Sequence, residues 1–251
     1  MSLSVEFKRW NRTRRLLVVA LLFLFSGITS PLIAEYSADI FGALGATETV
    51  TITVSAPTWQ NLVDSYFKNS SQLALLLSGY LVGWACALGP DERLRLFYRS
   101  RATGPWQIFG PRLAVSAIVA SIGALAGALM AGYETVVLHP DLDGGLLVGG
   151  LALQAGALVV FVLLAGVLAC WTNAPFLSAI AVAAVVFLGG LFAGAEGFQQ
   201  WSPTALLSPS GLIAGDGPDQ WGAVLVSLAV LTVAIASVLL IRIRSNGHRS
   251  T

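Results

Sequence analysis

Charge is scarce in this chain. Only 11% of its 251 residues are Asp, Glu, Lys or Arg, while 56% are apolar. Soluble domains carry about 25% charge, so a soluble fold of this size would leave much of its surface uncovered. Together with a mean hydropathy of +0.78, the composition predicts residence in a bilayer. Lysine is nearly missing. Lys8 and Lys68 are the only two, and neither stands in a Gly-x-x-x-x-Gly-Lys context. That excludes a P-loop, and with it ATP binding of the usual kind by this chain. The two histidines, His139 and His248, fall outside the apolar runs, and His-Glu-x-x-His and Gly-x-Ser-x-Gly patterns are absent. An intramembrane protease would lack its nucleophile–base pair or its metal ligands. The two cysteines, Cys86 and Cys170, fall inside apolar runs with no metal-ligand spacing and read as buried thiols. No ionisable group lies well inside an apolar run, which argues against a proton-driven transporter. No catalytic residue, metal site or resident cofactor is expected, and no nucleic-acid partner.

The few charges are sorted. Lys8, Arg9, Arg12, Arg14 and Arg15 precede the first apolar run. Arg93, Arg95, Arg99, Arg101 and Arg112 lie between the second and third, and Arg242, Arg244 and Arg249 follow the last. Glu35, Asp39, Glu48, Asp64, Glu134, Asp141, Asp143, Glu196, Asp216 and Asp219 occupy the other connections. Basic residues are retained on the cytoplasmic side of a membrane, so both termini are expected there. A spanning helix needs about 20 apolar residues. The expected fold is an all-α polytopic membrane protein of one domain, with six transmembrane helices near 16–34, 71–89, 113–133, 146–170, 175–195 and 221–241. An even number of spans agrees with two cytoplasmic termini. The first run follows basic residues, as a signal peptide would, but it is long for one and ends in no clean cleavage site; a retained helix is expected. The uncharged stretch from Asp143 to Glu196 is divided at Asn173 and Pro175, a turn followed by a helix start.

The connections carry the candidate sites. At 1–15, Val5, Phe7 and Trp10 are interleaved with Lys8, Arg9 and Arg12, either as an interfacial helix on the inner leaflet or as a basic tag that only sets orientation. The stretch 47–54 alternates polar and apolar residues, as a strand or an extended loop would. Residues 58–69 read as a short amphipathic helix leading into the second span. Gly123 and Gly127, Gly145 and Gly149, and Gly190 and Gly194 form Gly-x-x-x-Gly pairs, suited to tight packing within the chain or to a subunit interface. Gln154 is the deepest strongly polar side chain, facing either a substrate path or a neighbouring helix. Between the second and third spans, Asp91 and Glu92 open a helix whose first turn suits acids. Arg93, Leu94, Arg95, Phe97, Tyr98, Arg99 and Arg101 follow, with Leu94, Phe97, Tyr98 and Arg101 expected on one face. Aromatics between arginines suit docking into a partner's cleft; a lipid-surface helix is the alternative.

Taken together, these segments resemble the membrane subunit of an ABC-2 type ATP-binding-cassette exporter. Beyond the six spans and the acidic-Glu-Arg helix, Ser30, Pro31, Leu32 and Tyr36 at the end of the first span are similar to that family's Pro-Leu-hydrophobic-x-x-Tyr element. Lys68, Asn69, Ser71, Gln72 and Leu73 open the second span as in many members. Trp201, Ser202, Pro203, Thr204 and Leu206 resemble its Pro-x-x-Leu element, in an outer re-entrant segment. Leu94, Arg95, Arg101 and Ala102 depart from the family pattern, and the loop typical of import permeases is absent. The resemblance implies a coupling helix at 91–101 docking on a separate ATPase subunit, which holds ATP and Mg, and an N-terminal helix bearing Phe7, Trp10 and Arg12 that braces it. It also implies a second membrane subunit, identical or related, and an outer gate formed by Trp201, Pro203, Leu206 and Pro209. The implied setting is a prokaryotic cell membrane, and the uncharged interior favours an apolar or amphiphilic cargo. A non-transporting scaffold or sensor subunit that recruits a cytoplasmic partner is the alternative from another class.

Overall fold

The computed structural model describes residues 3–37, 40, 57–89, 93, 96–98, 102, 104–192, 196–215 and 220–241. Every regular element among them is helical. In chain order they are α1 (Leu3–Arg12), α2 (Arg15–Glu35), α3 (Trp59–Asn69), a π-helical turn (Ser70–Ala74), α4 (Leu75–Cys86), α5 (Pro105–Leu138), α6 (Gly144–Thr172), α7 (Pro175–Leu191), α8 (Glu196–Trp201), a 3-10 turn (Pro203–Leu207), α9 (Ser210–Ala214) and α10 (Trp221–Ser237) with a 3-10 end (Val238–Leu240). Four stretches are long and apolar enough to cross a membrane: Arg15–Glu35, Pro105–Leu138, Gly144–Thr172 and Trp221–Leu240. Pro175–Leu191 is apolar but shorter. The strand-or-loop segment 47–54 and the tail arginines lie outside the described residues.

Two helices are longer than hydropathy predicts. The expected amphipathic helix is present as α3 and runs through the π turn into α4 without a break, so 59–86 is one rod. The expected third span, 113–133, is the middle of α5. Pro105 sits at its first turn after an extended Gly104, where a missing N–H costs nothing. Pro111 is carried inside the helix. At 34 residues α5 is about 51 Å long, well beyond an apolar thickness of about 30 Å. The residues 105–112, expected in a connecting loop, are therefore helical and continuous with the span.

Successive long helices run in opposite directions. One end of the bundle, the basic end, gathers Arg15, Cys86, Arg112 and Asn173. The other gathers Glu35 and His139, whose side chains pair at 3.1 Å. α6 is the central helix, with a buried run from Leu147 to Cys170. α10 lies outermost, burying only Ala223 and Ser227.

Glycine sets the tightest contact. A Cβ on Gly27 of α2 would stand 2.5 Å from the carbonyl oxygen of Gly127 on α5, and a Cβ on Gly127 2.7 Å from the carbonyl oxygen of Phe23. The Gly123–Gly127 pair thus serves packing within the chain. Dispersion and close backbone approach drive helix association in lipid, where burial from water contributes nothing. Gly127→Val should therefore lower stability by about 1–3 kcal/mol, read as thermal unfolding in detergent. Gly156→Ala, whose Cβ would meet nothing within 4 Å, should leave the midpoint in place.

Candidate functional site

At the basic end, α1 does not lie free on a lipid surface. Glu6 and Trp10, one turn apart, point inward and are 1% and 2% exposed. Phe7 and Arg12, placed with Trp10 on a bracing helix, are exposed. Trp10 is the anchor, and the partner of Glu6 explains why. Arg112, near the start of α5, is also 1% exposed, with Nε 3.7 Å from Glu6 Oε1. Its Nη1 donates to the carbonyl oxygens of Ala87 at 2.8 Å and Cys86 at 3.4 Å. Those carbonyls belong to the C-terminal end of α4, where the last backbone acceptors lack helical partners. Arg9 adds a second cation to Glu6 at 3.4 Å.

Asn173 completes the junction. It ends α6 in the left-handed region at φ 53°, a conformation that asparagine tolerates better than most residues. Its Oδ1 accepts from the Leu88 amide at 2.8 Å, and its Nδ2 donates to the Gly89 carbonyl at 3.1 Å. The chain leaving α4 is thus held by Arg112 on one side and Asn173 on the other. Cys86 and Cys170 are buried and free beside them.

Of the expected coupling helix, Arg93, Phe97 and Tyr98 are described; Asp91, Glu92, Leu94, Arg95, Arg99 and Arg101 lie outside the described residues. Arg93, Leu96, Phe97 and Tyr98 are helical. The Phe97 and Tyr98 rings meet edge-on at 6.0 Å. Phe97 is exposed, whereas Tyr98 turns inward to lie 5.1 Å from the guanidinium of Arg112. Adjacent helix positions diverge by about 100°, and the buried cation takes one of the two rings.

At the opposite end, a groove of about 940 Å³ opens between the rod 59–86, α7 and the segment 203–211. Its floor is apolar, with Leu76, Ile180, Ala183 and Phe187. Among the described residues its charged lining is Asp64 and Lys68, paired at 2.6 Å. Gln220 also lines it; this side chain is 9% exposed, and its Oε1 has no partner among the described residues. The π turn contributes Ser71, Gln72 and Leu73. Single π turns occur where a side chain must be re-aimed, often at functional sites.

The four residues expected at an outer gate divide. Leu206 is 3% exposed and anchors the 3-10 turn; Pro209 is buried and starts α9. Pro203 is half-buried and opens the turn. Trp201 is exposed and covers Gly222. Thr204 packs on Gly189, and Ile213 on Gly150. The segment is irregular but seated on α6 and α7. Gln154 does not line the groove. It is fully buried behind it, donating its amide to Ser70 Oγ, which donates in turn to the Tyr66 carbonyl at 2.6 Å. Of its two expected roles, the structure shows the interhelical hydrogen bond.

Sequence reasoning passed over Glu6 and did not assign Asn173 beyond a turn. A lone acid among cations, one helical turn before a tryptophan, was the available signal for Glu6. No family model, curated protein or solved structure matches the chain.

Removing one partner of a buried ion pair leaves an uncompensated charge. Glu6→Leu should cost about 3–5 kcal/mol and expose α1 to protease at Arg9 and Arg12. Glu6→Leu with Arg112→Met should recover most of the loss in thermal unfolding, because two apolar groups need no pairing.

Proposed function

We propose that this chain is the membrane subunit of an ABC-2 type exporter, moving an apolar or amphiphilic substrate outward with ATP hydrolysed on a separate subunit. In this reading α2, the rod 59–86, α5, α6, α7 and α10 are six spans, the basic end is cytoplasmic, and the groove belongs to the outward route. The observation that carries the reading is the groove itself. Among the described residues it has an apolar floor and places Asp64 and Lys68 on one edge, a lining suited to an amphiphile. Its wall at 203–211 is the segment expected to act as the gate.

The basic end supports the other half of the reading. Phe97 presents an exposed ring beside a junction that joins α1, α4, α5 and α6. A partner pressing on Phe97 would reach Tyr98 and, through Arg112, the end of α4. A second membrane subunit, identical or related, would complete the translocation path. The setting would be a prokaryotic cell membrane, with ATP and Mg on the ATPase partner.

The test is purification of the detergent-solubilised chain from its native cells with its partners. A co-purifying P-loop subunit, with ATPase activity that needs both chains, is the expected result. Recovery with a partner lacking a nucleotide site would favour the scaffold or sensor alternative. Phe97→Ala should weaken the complex by about 2 kcal/mol, as loss of an aromatic anchor does, with the thermal midpoint of the isolated chain unchanged. Ala183→Trp should fill the groove, leaving the complex intact while abolishing export in a vesicle assay. Export at the unaltered rate would remove the groove from the route.

A further inference from the structure

A cationic and aromatic cluster lies on the side of the basic end where α2 meets α4. The guanidinium of Arg15 lies over the ring of Trp84, with Cζ 3.7 Å from the centroid. Arg9 is close enough for its charge to act on Arg15, and Tyr80 flanks it. The elbow between α1 and α2 brings the two arginines together, with Arg14 in the left-handed region at φ 55°. Among the described residues, Arg12, Arg14 and Arg15 have no carboxylate within ion-pair distance; the one acid at this elbow, Glu6, is buried and taken by Arg9 and Arg112. Glu6 cannot neutralise both Arg9 and Arg112, so with Arg15 the elbow keeps a net positive charge that favours an anion.

The surface beside this cation pair is apolar and continuous. Leu73, Leu77, Tyr80 and Trp84 follow each other at helical spacing, and each is more than a third exposed. The ring of Phe176 stands edge-on to Tyr80 at 6.2 Å and borders the stripe. From Trp84 to Leu73 the stripe is about 16 Å long, close to half of an apolar bilayer thickness of about 30 Å. A cationic, aromatic head joined to an apolar stripe one leaflet deep matches a phospholipid in both length and polarity.

We propose that Arg15, supported by Arg9 and Trp84, binds the phosphate headgroup of an anionic phospholipid whose acyl chain lies along Tyr80, Leu77 and Leu73. Arginine suits the task because its planar fork can stack on the indole with one face and direct its N–H groups at phosphate oxygens. The site depends on residence in a bilayer and not on the exporter reading, so the two fail separately.

The experiment is a lipid titration of the full chain in uncharged detergent, read by native mass spectrometry. Phosphatidylglycerol is compared with phosphatidylcholine. The wild type should retain phosphatidylglycerol selectively. Arg15→Gln should weaken that retention about fivefold, the scale of one cation at an anionic surface. Lys8→Gln removes the same charge from an exposed position and should not change it. Arg15→Lys should keep part of the preference. Equal losses in Arg15→Gln and Lys8→Gln would mean a diffuse field and no site. Displacement of the lipid by soluble glycerol 3-phosphate would mean a site for a free anion; either outcome overturns the proposal. A measurement on the wild type guards against misfolding of the variants. Phosphatidylglycerol brominated in its acyl chains should quench a tryptophan component that Trp84→Phe lacks, and brominated phosphatidylcholine should quench it less. Identical quenching by both lipids would count equally against the site.

Discussion

A guanidinium shut away from solvent governs the basic end of this protein. Moving an ion of that size out of water costs several kcal/mol even after relaxation, so Arg112 is tolerable only if its surroundings answer its charge. They do so from three directions, which with α5 makes four segments joined at one cation. Glu6 comes from α1, the Cys86 and Ala87 carbonyls from the end of α4, the Tyr98 ring from the connecting segment, and Arg112 itself stands on α5. The Ala87 carbonyl is the nearest of these partners at 2.8 Å, and the Glu6 approach is 3.7 Å. Their importance is that each ties down a different segment, so no segment moves without leaving the cation under-coordinated. A buried ionic group of this kind fixes an arrangement more than it adds stability. Here the arrangement is the docking of an N-terminal helix that would otherwise have only lipid to lie on.

Between the two ends the helices pack with no buried charge among the described residues, and small residues take over. Gly27, Gly123 and Gly127 let α2 and α5 approach until backbone meets backbone. Serine and threonine hydroxyls mostly bond back to carbonyls of their own helix, as Ser78 does to Ala74 and Thr135 to Ala131. They are thereby silent between helices. Two of the exceptions sit close together. Asn69 reaches Ser30 at 2.9 Å, and Gln154 reaches Ser70. Both cross-helix bonds fall at or beside the π turn, where the helical ladder is weakest and a brace from a neighbour has most effect.

Apolar runs are legible because a spanning helix is a one-dimensional object; its length and composition are local properties. The middles of α2, α5, α6, α7 and α10, and the amphipathic α3, could be read that way. What failed were properties belonging to pairs of distant residues. Arg112 looked like a loop charge because charge near an apolar run ordinarily marks its end. Only the presence of Glu6, far away in sequence, makes it a buried residue inside α5. Phe97 and Tyr98 looked alike because composition does not say which of two rings a hidden cation will claim. Gln154 was recognised as exceptional, but its partner lies on another helix, and one sequence does not pair them. The prolines and glycines at 203–215 announced an irregular segment. That α7 and the rod 59–86 form the groove's other walls is a tertiary fact.

The rod 59–86 joins the two ends of the molecule, and its construction bears on how they communicate. Its lower end is the acceptor for Arg112 and abuts the Asn173 clamp. Its upper part supplies Asp64, Lys68, Ser71, Gln72, Leu73 and Leu76 to the groove. A plain α-helix about 42 Å long would carry a displacement at one end to the other almost unchanged. The π turn alters this. It shifts the hydrogen-bond register by one residue, so the segment above it can rotate against the segment below at the cost of a few backbone bonds rather than a whole helix. Ser70 sits in that turn, and Gln154 holds Ser70 from α6, the most buried helix. The Gln154–Ser70 bond thus ties the weakest point of the rod to the central helix, which gives a fully buried glutamine a structural reason to be there.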